Sequence, residues 1–400
     1  MKITSVEIYD CEINRKDPTL VLFNPVIIRV NTDEGISGIG EIGLAYGNAS
    51  KAAVGIVKDL ARLVIGKDPT KVEYLWDSLF RNTFWGLGGG PVIYGGISAF
   101  DIAFWDIRGK LFKAPVHELL GGKIKSSLRT YASQLQYGWD HQYKALSKPE
   151  DYAFTAEKAV AEGYDSFKVD PIILDKNGNR PAASPDAWKL TGILTNDQLN
   201  LAVNRIAAMR EAVGEKIDII VEIHSVLGLN AAIQLGKALE PYHIFYYEEA
   251  VNPLNADNMA LLARSVNIPI ASGERIYTRW GYRPFLEKQV LAVIQPDICL
   301  AGGFTECKKI CDYASIYDSS VQLHACGAPV TTAAALQLEA AIPNFIIHEH
   351  HTYALKPALR ELCIYDYQPL DGHFPVPDLP GIGQELNDEV MKEYLAFTIK

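Results

Sequence analysis

The sequence predicts an α/β chain in which a closed barrel of parallel strands follows a smaller α+β module. Three observations carry this. Eight short apolar strands follow one another from about Ser127, with helical segments after the first seven. Polar residues recur at the ends of those strands at near-constant spacing. The preceding part of the chain has a different order, strands first and helices after.

At 400 residues the chain accommodates a barrel of ~250 residues and a second module. A composition 48% hydrophobic and 22% charged is that of a globular chain with a sizeable core. The net charge of −10 argues against nucleic acid and anionic membrane surfaces as partners. The N-terminus "MKITSVEIYDCEI" alternates like a strand and lacks a signal-peptide core. No uninterrupted apolar run reaches the ~18 residues of a membrane span, so a cytoplasmic location is expected. Six cysteines without paired zinc spacing read as reduced core thiols.

In the first module, residues 1–125, "VLFNPVIIRVNTDEGISGIGEIG" reads as a hairpin turning at "NTDEG". Helical patterns follow in "ASKAAVGIVKDLARLVIG", "TKVEYLWDSLFRNTF" and "GGISAFDIAFWDIRGKLF". The barrel is expected over residues 126–364, on strands "LRTYASQ", "SFKVDPI", "DIIVEIH", "IFYYEEA", "IPIASGE", "AVIQPDI", "SVQLHAC" and "NFIIHEH". After "SFKVDPI" comes a long polar insert, Ile173 to Ile193, placed to fold over the barrel mouth. The Pro- and Gly-rich tail, about 365–400, is expected to complete the first module.

The strand ends carry Lys168 and Asp170, Glu222 and His224, Glu248, Glu274, Asp297, His324 and Glu349. Glu222 to Glu248 is 26 residues, Glu248 to Glu274 is 26, Glu274 to Asp297 is 23, and Asp297 to His324 is 27. One βα unit has about this length, so these groups occupy equivalent positions and meet at the C-terminal mouth of the barrel. Three convergent carboxylates repel, and each costs several kcal/mol to desolvate unless paired. A hard divalent cation resolves this, and an all-oxygen donor set suits Mg²⁺. Exposed strand-end carboxylates are the bland reading of any one of them; three in register after apolar strands are hard to explain that way.

Alone, His324 reads as a core histidine. Asp297 on the preceding strand changes this, because a carboxylate that fixes one ring nitrogen raises the basicity of the other. Alternation along the strand sends His224 to the same side as Glu222. Lys168 either serves the chemistry or simply pairs with Asp170 or a ligand carboxylate. In "HEHH" four consecutive residues alternate sides, so Glu349 is the functional candidate, and His348, His350 and His351 read as structural or rim residues.

The pieces "GIGEIG", "AFDIAFWDIRGKLFKAPVHELLGG", "KVD", "VEIH", "YYEEA", "SGERIYTRWGYR", "QPDICLAGG", "HACGAP" and "NFIIHEH" are together highly specific. Through them the chain resembles the mandelate racemase and muconate-lactonizing branch of the enolase superfamily over essentially its whole length. The resemblance implies a modified (β/α)7β TIM-type barrel under an N-terminal α+β capping domain, and a homo-oligomer. It implies one Mg²⁺ per site on Glu222, Glu248 and Glu274, which stabilises the enediolate formed when a proton α to a carboxylate is removed. His324 with Asp297 matches the family's base, and Glu349 matches an acid that hydrogen-bonds the substrate carboxylate.

"VEIH" looks most like the galactonate- and mannonate-type acid-sugar dehydratases, where a histidine at the place of His224 acts on the substrate. Asp170, Arg275 and Tyr46 are the substrate-binding candidates, and Lys168 orients the carboxylate or reprotonates C3. The chain departs from the family in having Glu at 222 where Asp is usual, "KVD" for Lys-x-Lys, and "EEA" for "EEP". The expected activity is dehydration of a sugar acid of galactonate type to a 2-keto-3-deoxy acid. The rivals are an epimerase or cycloisomerase, for example of an anhydro-sugar acid, and a catalytically silent metal-binding or regulatory homologue.

Overall fold

The computed structural model describes residues 1–20, 22–141, 143–179 and 192–400. Much of the insert from Ile173 to Ile193 therefore lies outside the described residues.

The cap starts with three antiparallel strands, β1 (Ile3–Asp10), β2 (Val26–Thr32) and β3 (Ser37–Ile42). They pack on helices Ser50–Val64 and Pro91–Phe112; the second begins with proline, whose fixed φ suits the first helical position. The glycines of "GIGEIG" make that contact possible. A Cβ at Gly40 would sit 1.9 Å from the Ala99 carbonyl oxygen, and one at Gly38 2.1 Å from that of Ala103.

The barrel strands are β4 (Ser127–Ser133), β5 (Ser166–Val169), β6 (Asp218–Glu222), β7 (Ile244–Glu248), β8 (Ile270–Ser272), β9 (Val293–Ile294), β10 (Ser320–Val321) and β11 (His348–His351). Neighbours from β4 to β10 pair in parallel, and β11 pairs with β4. Closure comes from the segment entering β11: Val321 N donates to Asn344 O at 2.8 Å, and Ile346 N to Val321 O at 2.9 Å. A helix follows each of the first seven strands, as the sequence pattern predicts.

The lumen is plugged by Tyr131, Ile220, Tyr246, Ala271, Val293 and Ile347. Side chains on one face recur every second residue, so Glu222, Glu248 and Glu349 stand directly above Ile220, Tyr246 and Ile347. Apolar packing below and carboxylates above fix the polarity of the mouth.

Two further strands belong to the tail. β12 (His373–Pro375) pairs antiparallel with β4, and β13 (Leu395–Ile399) pairs antiparallel with β1. All six cysteines are free, and five of them are buried. Among the described residues no helix is long and apolar enough to cross a membrane.

Candidate active site

A cavity of ≈ 300 Å³ opens at the C-terminal end of the barrel strands. Gly43, Leu44, Tyr46 and Pro91 of the cap wall one side, and Glu222, His224, Glu274, Arg275 and His324 are among the barrel residues that face it. One carboxylate oxygen each from Glu222, Glu248 and Glu274 lies within 4.8 Å of the others. The in-register spacing read from the sequence therefore brings the triad together.

Lys168 stands beneath the triad. Its Nζ is 2.6 Å from Glu248 Oε1, 2.9 Å from Glu349 Oε1 and 3.2 Å from Glu222 Oε2, and its side chain is 1% exposed. It does not pair with Asp170. Burial alone would discharge the ammonium, but Glu222, Glu248 and Glu349 outweigh burial and hold it charged. A lysine held this way is an ammonium paired to three carboxylates, not a free base. Glu349 also accepts from Ser133 Oγ at 2.7 Å and Ala325 N at 3.0 Å.

Burial pushes the Glu248 carboxyl up to about 8, against the attraction of Lys168. Its Oε2 is buried and has no hydrogen-bond partner. A buried carboxylate oxygen left unpaired beside two other carboxylates fits a bound cation. With oxygen donors only, the set suits a hard divalent ion held by Glu222, Glu248 and Glu274.

Each end of the carboxylate row adjoins a histidine oriented by a second carboxylate. His224 Nε2 is 3.2 Å from Glu222 Oε1, and its Nδ1 is 2.6 Å from Asp170 Oδ2. His324 Nε2 is 3.2 Å from Glu274 Oε2, and its Nδ1 is 2.7 Å from Asp297 Oδ2. Burial opposes their charged forms. Glu222 and Asp170 nevertheless raise His224 to about 9, and Glu274 and Asp297 raise His324 to about 10.

The local backbone differs from the sequence reading in two places. β6 stops at Glu222, and His224 and Ser225 are left-handed (φ 49° and 58°). His224 reaches the cavity through this turn, not through strand alternation. β9 and β10 end before Asp297 and His324, which meet as an isolated parallel bridge. The Asp297 carboxylate accepts Cys299 N at 2.7 Å, which starts the turn that ends the strand.

Asp170 also departs from expectation. It does not line the cavity. Its Oδ1 accepts from Ile172 N and Ile173 N, both at 2.9 Å, and its Oδ2 holds His224. Both of its oxygens are thus engaged, one by backbone N–H groups and one by the His224 ring. Arg275 and Tyr46 do line the cavity, and Arg275 is braced 2.7 Å from Glu249 and 3.1 Å from Glu274.

Sequence reasoning missed Gln134 and His351, both of which line the cavity. For His351 the signal was present, since alternation puts it on the face of Glu349. Its Nδ1 accepts Tyr353 N at 3.1 Å, so the ring proton sits on Nε2. Burial pushes its pKa down to about 3 and keeps the ring neutral.

Fold and site define a barrel of the class that binds a hard cation on three strand-end carboxylates, with an oriented histidine on either side. The chain belongs to the mandelate racemase/muconate lactonizing enzyme family of the enolase superfamily. Residues 19–121 match the N-terminal domain of that name, and residues 151–390 match the enolase C-terminal domain-like family. A D-galactonate dehydratase of Ralstonia nicotianae is 32% identical over 92% of this chain and 90% of its own length. A Salmonella enterica serovar Typhimurium protein, solved under a provisional dehydratase name, is 60% identical over the whole of both chains with a TM-score of 0.98. The 3,6-anhydro-D-galactonate cycloisomerase of Zobellia galactanivorans is 25% identical over 99% of this chain and 100% of its own, with a TM-score of 0.82.

Proposed function

We propose that the protein is a Mg²⁺-dependent hydro-lyase that dehydrates a sugar acid of D-galactonate type to a 2-keto-3-deoxy acid. The observation that carries this reading is the pair of oriented histidines, His324–Asp297 and His224–Asp170, flanking one carboxylate row. Dehydration needs one group to take the C2 proton and another to protonate the departing C3 hydroxyl. The relatives of this chain named D-galactonate dehydratase support the same reaction.

When bound, the cation supplies Lewis-acid stabilisation of the charge that builds on the substrate carboxylate. The remaining work falls to the chain. With a cation neutralising Glu274, one of the carboxylates that raise it, His324 in its neutral form would take the C2 proton at Nε2, and Asp297 on Nδ1 fixes the tautomer and stabilises the imidazolium that forms. His224 Nε2 gives a proton to the C3 oxygen, and Asp170 holds its ring. Each such group is worth roughly 10²–10⁴-fold. The cap residues at the mouth exclude water and orient the hydroxyls.

The cycloisomerase neighbour keeps one alternative, internal elimination of a ring ether. A racemase-type mechanism with Lys168 as a second base is disfavoured by its three carboxylate partners. The test is incubation of the protein and Mg²⁺ with C4 to C6 aldonates and anhydro-aldonates, followed by mass spectrometry. Loss of one water from a galactonate-type acid is expected. Rearrangement at conserved mass would replace dehydration with isomerisation.

A further inference from the structure

The chain leaves β4 through a non-glycine residue in the left-handed region, Gln134 (φ 70°, ψ 42°), and then a single 3-10 turn, Leu135–Tyr137. Such a backbone is sparsely populated by residues with a Cβ, and it collects at functional sites. Here it turns two amides, Gln134 and Gln136, inward beside the first carboxylate of the row. Gln136 is fully buried and Gln134 is 6% exposed.

Their hydrogen bonds close a ring. Asp170 N donates to Gln136 Oε1 at 3.1 Å, Gln136 Nε2 donates to Gln134 Oε1, and Gln134 Nε2 donates to Glu222 Oε2 at 2.6 Å. Glu222 Oε1 adjoins His224 Nε2, and His224 Nδ1 returns to Asp170 Oδ2. The direction of the relay is fixed by chemistry. A backbone N–H only donates, so Gln136 must turn its oxygen to Asp170 and its nitrogen to Gln134. Gln134 must then turn its oxygen to Gln136 and its nitrogen to Glu222, a carboxylate that only accepts.

We infer that Gln134 and Gln136 are positioning residues that hold the metal ligand Glu222 and the acid His224 in one frame. Glutamate at 222 has one more rotatable bond than the aspartate expected there from the family resemblance, and the Gln134 amide immobilises it. Groups that orient metal ligands in this way typically contribute 10–100-fold to metal affinity. Because the relay also anchors the Asp170 backbone, it sets the ring plane of His224. The inference rests on the proposed metal-dependent dehydration and adds the residues that couple ligand to acid.

The test uses Gln134→Met and Gln136→Met, which keep side-chain length and remove the amide. Mg²⁺ alone is titrated calorimetrically into wild type and each variant. C2 proton exchange and water loss from D-galactonate are then compared in D₂O at saturating Mg²⁺. Gln134→Met is expected to weaken Mg²⁺ binding roughly 10–100-fold. Gln136→Met is expected to lower the ratio of elimination to exchange, which a general loss of stability would not do. Wild-type Mg²⁺ affinity in Gln134→Met with an unchanged ratio in Gln136→Met would overturn the inference and leave the dehydratase reading intact. Failure of wild type to bind Mg²⁺ would overturn both.

Discussion

Replacing Lys168 by methionine removes the ammonium from among three buried carboxylates and preserves chain length. In the wild type its Nζ lies 2.6, 2.9 and 3.2 Å from Glu248, Glu349 and Glu222. Deleting one partner of a buried ion pair costs about 3–5 kcal/mol, because the remaining charges stay buried and unpaired. Unfolding entropy is roughly 2.1 cal/mol/K per residue, so a chain of 400 residues should lose about 4–6 °C in melting temperature in EDTA. Saturating Mg²⁺ supplies positive charge to the same carboxylates, so the gap between variant and wild type should narrow there. Scanning calorimetry in EDTA and in Mg²⁺ measures both. A variant within about 1 °C of wild type in EDTA, or a gap unaffected by Mg²⁺, would refute the view that Lys168 neutralises the cluster.

Glu41 of the cap is fully buried and accepts from Ala328 N at 2.8 Å and Thr331 N at 3.1 Å, at the start of the helix after β10. Burial raises its pKa to about 7. The folded chain then holds the proton more tightly than the unfolded chain, so this stability is full below the ordinary carboxylate range and is lost as pH rises through about 7. Glu41→Gln should therefore be less stable than wild type at pH 5, with the deficit shrinking by pH 8 in urea titrations; a constant deficit would count against it. Arg205 is fully buried and donates to the carbonyls of Ser147, Pro171, Leu174 and Asp175. Arg205→Met should cost about 2–3 kcal/mol and speed amide exchange over residues 171–175, since it strands acceptors of charge-assisted bonds; unchanged exchange would argue that the loop holds without it.

The barrel and its triad were legible because both rest on period. Repeating strand–helix units need no tertiary knowledge, and Glu222, Glu248 and Glu274 recur at one unit's length. The His324–Asp297 pair was legible for the same reason. His224 was placed correctly for an incorrect local reason, because tertiary contacts end β6 at Glu222 and turn the chain left-handed. Gln134 and Gln136 stayed hidden: neutral amides carry no charge signal, and a positive φ at glutamine has no sequence marker. Lys168 stayed between chemistry and pairing because a strand-end lysine is ambiguous until its partners are known. The Asp170–His224 contact was hidden because sequence does not show whether a carboxylate faces the cavity or the back of a histidine.

The central claim is the division of labour between His324 and His224. It is tested most directly by following C2 deuterium uptake and water loss for D-galactonate in D₂O with His324→Asn and His224→Asn at saturating Mg²⁺. His324→Asn is expected to lose both exchange and elimination by roughly 10²-fold or more, and His224→Asn to retain C2 exchange while elimination falls. Exchange that survives in His324→Asn, or equal loss of both processes in His224→Asn, would contradict it.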